Sequence, residues 1–311
     1  MCACNPLHYA IYFSHPLRVE PSSWLEHVPF GMFLIEALQP RVVVELGTYH
    51  GVSFCAFCQA VKELRLDTRC YAVDTWQGDP HSGFYEGSQV LEDLRAHHDP
   101  LYGSFSRLIQ STFDEALGHF EDHTIDLLHI DGCHTYQSVK HDFESWLPKV
   151  STHGMVLLHD TCVRAHDFGV WGLWAEVSSK YPHLEFVHGE GLGLLAVNQV
   201  PAGALHDLLK CGNEERRRIQ QLFQSLGQGV RYRFEREEAA NEIQSLSTQV
   251  ARLTEEVGRL TQEVGRLTQS ERHLEGILAS KTWRIAQAGL RVYKACEGVW
   301  LHLTGPLRKR R

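Results

Sequence analysis

In the stretch IDLLHIDGCHTYQSVKHDFESW, Asp131 and His134 straddle a glycine turn, and in MVLLHDT the pair His159–Asp160 follows another apolar run. Two acids and two imidazoles placed in this way can do two kinds of chemistry. A histidine that titrates near neutrality can take a proton from a hydroxyl as a general base, which makes His134 and Asp131 the candidate catalytic residues. Oxygen and imidazole donors together also suit a divalent cation such as Mg²⁺ or Mn²⁺. Asp131, His159 and Asp160 would hold it, and it would lower the pKa of a bound hydroxyl. One acid pairing one histidine without a metal is the plainer alternative. The chain has 20 histidines, and His97–His98 and His206 read as surface residues.

A second set lies in RVVVELGTYHGVS, residues 41–53. β-Branched residues run into Glu45, then into a loop with Gly47, Thr48, Tyr49 and Gly51, and then into a helix beginning near Ser53. The glycines let backbone approach a ligand closely, and the helix start offers free N–H groups. This segment has neither G-x-G-x-x-G nor G-x-x-x-x-G-K-[ST], the two pyrophosphate fingerprints. An acid at the mouth of the loop suits a cationic, non-phosphate ligand, and S-adenosylmethionine is the candidate; a glutamate capping backbone N–H groups is the alternative. Asp74, closing CYAVDTW, can accept from two ribose hydroxyls or cap the next helix, and Trp76 can lie near an adenine. Ser111 can reach the adenine edge or serve as a helix N-cap.

These residues need a scaffold that brings strand ends together. Strand-like runs at Val42–Leu46, Cys70–Asp74, Ser106–Ile109, Ile125–Asp131, Met155–Asp160, Leu184–His188 and Gly193–Val197 alternate with helical stretches at 23–38, 52–65, 88–97, 112–119, 135–147 and 170–180. That alternation predicts an α/β doubly wound sheet, with ligands at the carboxyl ends of its strands. The short turn Gly189–Leu192 predicts an antiparallel hairpin at the edge. Cys55 and Cys58 fall inside the second helix and read as core residues rather than as a redox pair.

The rest of the chain reads as three further pieces after a domain at 1–200. Residues 201–242 are polar and helix-prone and read as a solvated linker. From 243 to 280, Ile243, Val250, Val257 and Val264 alternate with Leu246, Leu253, Leu260, Leu267 and Leu274 in a heptad pattern. Valine or isoleucine at a with leucine at d predicts a parallel two-stranded coiled coil, roughly 50 Å long at 1.5 Å per residue, and hence a homodimer. Glu271 at an a position, with Gly258 and Gly265, weakens it. Residues 281–311 carry eight Lys/Arg and one acid. With their tryptophans they read as a basic amphipathic tail for an anionic membrane surface or a partner enzyme such as a glycosyltransferase.

The chain has 311 residues, 43% of them hydrophobic, and a formal charge of −8, which argues against nucleic acid as partner. Nine cysteines without a disulfide framework, and no secretory leader, predict a cytoplasmic protein, peripheral at the inner face of the cell membrane if the tail binds there.

With these residues assembled, the first 200 positions resemble the class I S-adenosylmethionine-dependent methyltransferases. Within that class they are most similar to the O-methyltransferases that include the macrocin O-methyltransferase and cephalosporin hydroxylase-like groups. The resemblance is carried by WLEHVPF (24–30), VVVELGTYHGVSFCAFCQAV (42–61), CYAVDTWQGD (70–79), IDLLHIDGCHTYQSVKHDFESWLP (125–148) and GMVLLHDT (154–161). It implies a seven-stranded Rossmann-like sheet, with Glu45, Gly47 and Ser53 around the methionine part of the cofactor and Asp74 on its ribose. Members that use Mg²⁺ hold it with an acid matching Asp131 and an acidic pair matching His159–Asp160; here the first acid of that pair is His159. The coiled coil and SKTWRIAQAGLRVYK resemble tails of bacterial polysaccharide-assembly enzymes. The expected activity is therefore methylation of a sugar hydroxyl on a polysaccharide or glycoconjugate. A catalytically inactive scaffold that organises glycan enzymes, and a metal-dependent hydroxylase or hydrolase, are the competing expectations.

Overall fold

The computed structural model describes residues 8–79, 83–84, 87–165 and 167–304. Seven strands form the main sheet: β1 (Val42–Leu46), β2 (Arg69–Asp74), β3 (Ser106–Gln110), β4 (Ile125–Ile130), β5 (Val150–His159), β6 (His183–Phe186) and β7 (Leu192–Ala196). They lie in the order β3-β2-β1-β4-β5-β7-β6. The pairs among β1 to β5 are parallel, and β7 runs antiparallel to β5 and β6. This is the doubly wound, Rossmann-like sheet expected from the alternating pattern, and the Gly189–Leu192 turn does close an edge hairpin.

Helices α1 (Val28–Leu38), α2 (Val52–Leu64), α3 (Gly87–Tyr102), α4 (Phe113–Leu117), α5 (Tyr136–Trp146), α6 (Val170–Ser178) and α7 (Ala204–Lys210) complete this part of the chain. Side chains alternate across the sheet, so Val43 joins the core layer containing Trp24, Phe30 and Phe57, while Val44 and Leu46 join the layer with Phe143 and Trp146. Each such side chain contributes about 1.5–3 kcal/mol by leaving water. The expected helix at 23–38 is two pieces, a 3₁₀ turn at Ser23–His27 followed by α1. Pro29 is the cause: it has no N–H to donate back and is tolerated only in a first turn. Cys55 and Cys58 are buried in α2, and burial pushes both thiols well above their usual range.

Asp142 on α5 is an acid in a core environment, 7% exposed. Burial pushes its carboxyl up to about 7, with His141 opposing and Asp114 adding. In the unfolded chain it titrates near 4, so between those values the folded state holds a proton that the unfolded state has released, and stability falls as pH rises. Asp142→Asn is expected to raise stability by about 2–4 kcal/mol at pH 8, because a shift of about three units is worth that order, and by little at pH 4. Urea unfolding at both pH values checks this. A variant less stable than the parent at pH 8 would mean that the ionised carboxylate makes a contact the protein needs.

Helix α8 runs from Asn213 to Ala279, and α9 from Lys281 to Thr304. The chain divides into two compact units between Glu237 and Glu238. In the first, Ile219, Phe223 and Gly227 of α8 are buried, with Leu226, Val230 and Phe234 packed partly against the same core. The first turns of α8 are thus a docked helix and not the solvated linker expected for 201–242. The reason is an apolar stripe at three- and four-residue spacing. In the second unit the heptad valines and leucines are exposed along α8. No helix among the described residues is long and apolar enough to cross a membrane.

Candidate functional site

The order β2-β1-β4 places the chain's change of direction between β1 and β4, where open α/β sheets bind ligands. The parallel ladder continues one residue past each strand there: Gly47 N donates to Val73 O at 3.0 Å and Asp131 N to Leu46 O at 2.8 Å. Gly47 has φ +84°, and a Cβ on it would sit 2.0 Å from Asp131 O. Only glycine fits, so β1 turns away at once and opens a cavity of about 450 Å³.

One end of the cavity is formed by the ends of β1, β2 and β3. Asp74 Oδ2 accepts from Thr48 N and Tyr49 N at 2.8 and 2.9 Å, and Oδ1 accepts from Trp76 N at 2.7 Å. The carboxylate therefore clasps two loops together, and one lone pair on Oδ1 stays available by count. Thr48, Tyr49, Asp74, Thr75, Thr112 and Phe113 line this end.

The other end gathers Asp131, His134, His159, Asp160 and Glu190. His134 Nε2 lies 2.8 Å from Asp160 Oδ2 and 3.7 Å from Asp131 Oδ1; its ring stacks on Phe168 with centroids 4.7 Å apart. His159 Nδ1 lies 3.3 Å from Asp131 Oδ1 and 3.4 Å from Asp160 Oδ1, while its Nε2 donates to Gly189 O at 3.1 Å. Burial resists charge on His134, but hydrogen bonds to Asp131 and Asp160 outweigh it and push its pKa up to about 10. The near-neutral histidine expected from sequence is therefore corrected: the half-buried Asp131 and the buried Asp160 hold His134 as a cation. His159 is likewise held well above its ordinary value, burial opposing and Asp131 and Asp160 prevailing. The acids are held low in turn, against burial, chiefly by the charge of His159.

Asp131, His134 and Asp160 offer ligand atoms that all lie within 4.8 Å of one another. Asp160 Oδ1 is buried without a hydrogen bond. A buried oxygen of that kind beside a second carboxylate and an imidazole fits a divalent cation. His134, assigned from sequence as a base, belongs to this group by geometry.

Gly47, Thr48, Tyr49, Asp74, Asp131, His134, His159 and Asp160 thus line one cavity. Glu45 does not. By strand alternation it faces the α1–α2 layer, where it is fully buried and accepts from His129 Nδ1 at 2.8 Å. Trp24 Nε1 donates to His129 Nε2 at 3.1 Å; an indole only donates, so the His129 proton sits on Nδ1, facing Glu45. Gly51 and Ser53 start α2 outside the lining, with Leu94 where a Gly51 Cβ would go. Trp76 is fully buried, its Nε1 donating to Tyr49 O at 3.0 Å. Ser111 neither lines the cavity nor caps α4, because Thr112 makes the capping box with Glu115.

Sequence reading missed Ser22, Ser23, Thr112, Phe113, Phe168 and Glu190, all of which line the cavity. Glu190 had a signal, since it sits between two glycines. Gly189, Glu190 and Gly191 have φ of +54°, +68° and +98°. Gly189 O accepts from His27 and His159, and a Cβ on Gly191 would lie 2.5 Å from Thr161 Oγ1. The turn is pinned to the cavity floor with the Glu190 side chain directed inward.

Residues 44–161 match the family described as methyltransferase domain. The chain is 53% identical over 183 residues to the uncharacterized protein y4gI of Sinorhizobium fredii, a match covering 58% of this chain and 20% of that protein. The chain thus spans about a fifth of the length of this curated relative. Among solved structures it is similar to the O-methyltransferase TomG from Streptomyces achromogenes, involved in tomaymycin synthesis and crystallised with SAM. That match is 15% identical, covers 61% of this chain and 95% of TomG, and has a TM-score of 0.43. It is also similar to the SAH-bound Podospora anserina methyltransferase PaMTH1, at 14% identity, 56% and 78% coverage and a TM-score of 0.41. The fold assignment itself rests on the strand order described above.

Proposed function

From the methyltransferase domain at residues 44–161, we propose that this chain is an S-adenosylmethionine-dependent O-methyltransferase acting on a sugar hydroxyl of a polysaccharide or glycoconjugate. The observation that carries the reading is the single cavity joining the Gly47–Asp74 loops to the acid–histidine cluster. Asp74, Thr112 and Phe113 would hold the cofactor at the first end, where it would supply the methyl group beside Asp131. The acceptor enters the second end, where Ser22, Ser23 and Glu190 offer partners to neighbouring hydroxyls and Phe168 an apolar face. These groups, and the resemblance of the coiled coil and SKTWRIAQAGLRVYK to tails of polysaccharide-assembly enzymes, favour a sugar over a planar phenol.

In this reading the acceptor oxygen attacks the methyl carbon in line with the departing sulfur, and the C–S bond breaks as the O–C bond forms. Holding both reactants in that line supplies much of the rate. The hydroxyl proton passes to the His134 ring in its neutral form, the resting cation having first lost a proton to solvent, while the Nε2–H bond to Asp160 Oδ2 orients the ring. A divalent cation, if bound, would be held by Asp131, His134 and Asp160 and would supply Lewis acidity at the acceptor oxygen. The same trio favours a second reading, a metal-dependent hydroxylase or hydrolase, which a stoichiometric iron or zinc content would support.

Calorimetric titration with S-adenosylhomocysteine, in Mn²⁺ and in EDTA, tests the proposal. Micromolar binding is expected, and metal-dependent heat would bring the trio forward as ligands. No binding by a folded sample would sink the enzyme reading and leave the scaffold.

Dimerisation belongs to the same proposal. A parallel pair sets Glu256 and Glu263, at g, against threonines at e, whereas antiparallel pairing sets glutamates against one another. Leu253→Asp with Leu260→Asp is expected to convert a dimer to a monomer in sedimentation equilibrium, leaving S-adenosylhomocysteine binding unchanged. A parent that sediments as a monomer would overturn the pairing.

A further inference from the structure

Helix α9 starts afresh after α8. Ser280 Oγ accepts from Trp283 N at 3.1 Å and Ser280 O accepts from Arg284 N at 3.2 Å, an N-terminal cap of its own. Its 24 residues span roughly 36 Å at 1.5 Å per residue. Turned at about 100° per residue, Arg284, Arg291 and Lys294 fall within one arc of roughly 80°, which they share with Gln287 and Gly298. Ile285, Val292 and Val299 lie on one side of that arc, Trp283 and Leu290 on the other, and Tyr293 opposite. These apolar side chains are 40–72% exposed, and Glu297 is the one acid among them.

A second copy of the chain is a poor occupant for this surface. Leu278, Ile285, Val292 and Val299 keep the valine/isoleucine spacing of the heptads, but Lys281, Ala288 and Ala295 stand where the leucines would fall, so a paired seam would lack its large d side chains. The apolar arc is also far wider than a two-stranded seam. A broad apolar surface with a narrow cationic strip, bordered on one side by Trp283, matches the bilayer interface, where cations meet lipid phosphates and apolar side chains enter the acyl boundary. Lys281, on the apolar side of the first turn, has the reach to extend its ammonium to the same level. We propose that α9 lies flat in the surface of an anionic membrane, with Ile285, Val292 and Val299 in the acyl boundary and Arg284, Arg291 and Lys294 at the phosphates.

This inference is independent of the chemistry at the cavity. Flotation of the full chain with phosphatidylcholine vesicles, and with phosphatidylcholine mixed with phosphatidylglycerol, tests it. Partitioning onto the anionic vesicles is expected to be at least about tenfold stronger, and to weaken with added salt. The combined variant Arg284→Glu, Arg291→Glu and Lys294→Glu should lose that preference. Val292→Asp, which keeps every cation, should lose binding as well. Circular dichroism and thermal unfolding show that both variants remain folded. No flotation of the parent, equal flotation on both vesicles, or parent-like flotation of Val292→Asp would each overturn the proposal.

Discussion

His134→Ala is expected to lower kcat by about 10²–10⁴-fold, the usual worth of a positioned acid–base group, with S-adenosylhomocysteine affinity within a few-fold of the parent. The two readouts separate because the His134 ring touches Asp160, Asp131 and Phe168, while the proposed cofactor end is built from Thr48, Tyr49, Asp74 and Thr112. Protonation sharpens the test. With its pKa at about 10, His134 is a cation at neutral pH and accepts a proton only in its minor neutral form. The parent rate should therefore climb as pH rises toward 10, and the alanine and glutamine variants should lack that limb. Asp131, Asp160 and His159 face this group and set the position of the limb. Stability has the opposite sense: the charged His134 pairing stabilises the fold fully below its ordinary value of 6.5 and is lost as pH rises through about 10. Quenched-flow measurement of S-adenosylhomocysteine formation reads both the rate and its pH limb. An unchanged turnover would remove the base assignment.

What was legible in the sequence was local. The run Val42–Val44 followed by Gly47 announces a buried strand and a turn that no other residue permits, and the spacing of Asp131 from His159–Asp160 places them on adjacent strand ends. Three kinds of information were not local. Strand parity sends Glu45 away from the cavity, although its place in the motif looks like a ligand position; the pairing that explains it is with His129, 84 residues on. Ser22–Ser23, Phe168 and Glu190 reach the cavity on loops with no shared pattern, and only the twin glycines around Glu190 hinted at a constrained turn. The charge state of His134 depends on two acids converging from β4 and β5, which residue type alone does not reveal. The domain boundary was misplaced for a different reason: the charge run Glu214–Arg218 and the strong heptads after Ile243 hid the apolar stripe between them.

That stripe sets the largest stability effect. Phe223→Ala is expected to cost the first unit about 3–5 kcal/mol, the range for removing a buried phenylalanine. The Phe223 ring is 1% exposed and lies 5.7, 5.2, 5.3 and 6.0 Å from the rings of Tyr12, Phe30, Phe33 and Phe186. Those rings come from the N-terminal segment, α1 and β6, so the cavity left behind would loosen three elements at once. The helix cannot slide to fill it. A Cβ at Gly227 would already lie 1.9 Å from Glu26 O, Arg231 pairs with the buried Glu26, and Gln220 donates to Glu185 O. Glu26 adjoins His27, which shares the Gly189 carbonyl with His159, so the anchor of α8 sits two hydrogen bonds from the acid–histidine cluster. Urea unfolding followed through the buried Trp24, Trp76 and Trp146 reads the loss, and Val257→Ala in the exposed heptads serves as a control that should leave the midpoint in place. A chain ending at residue 237 should keep the parent midpoint and one ending at residue 200 should not. If Phe223→Ala unfolds with the parent, or the shorter chain folds as well as the longer, then α8 is the solvated linker that its charges suggest.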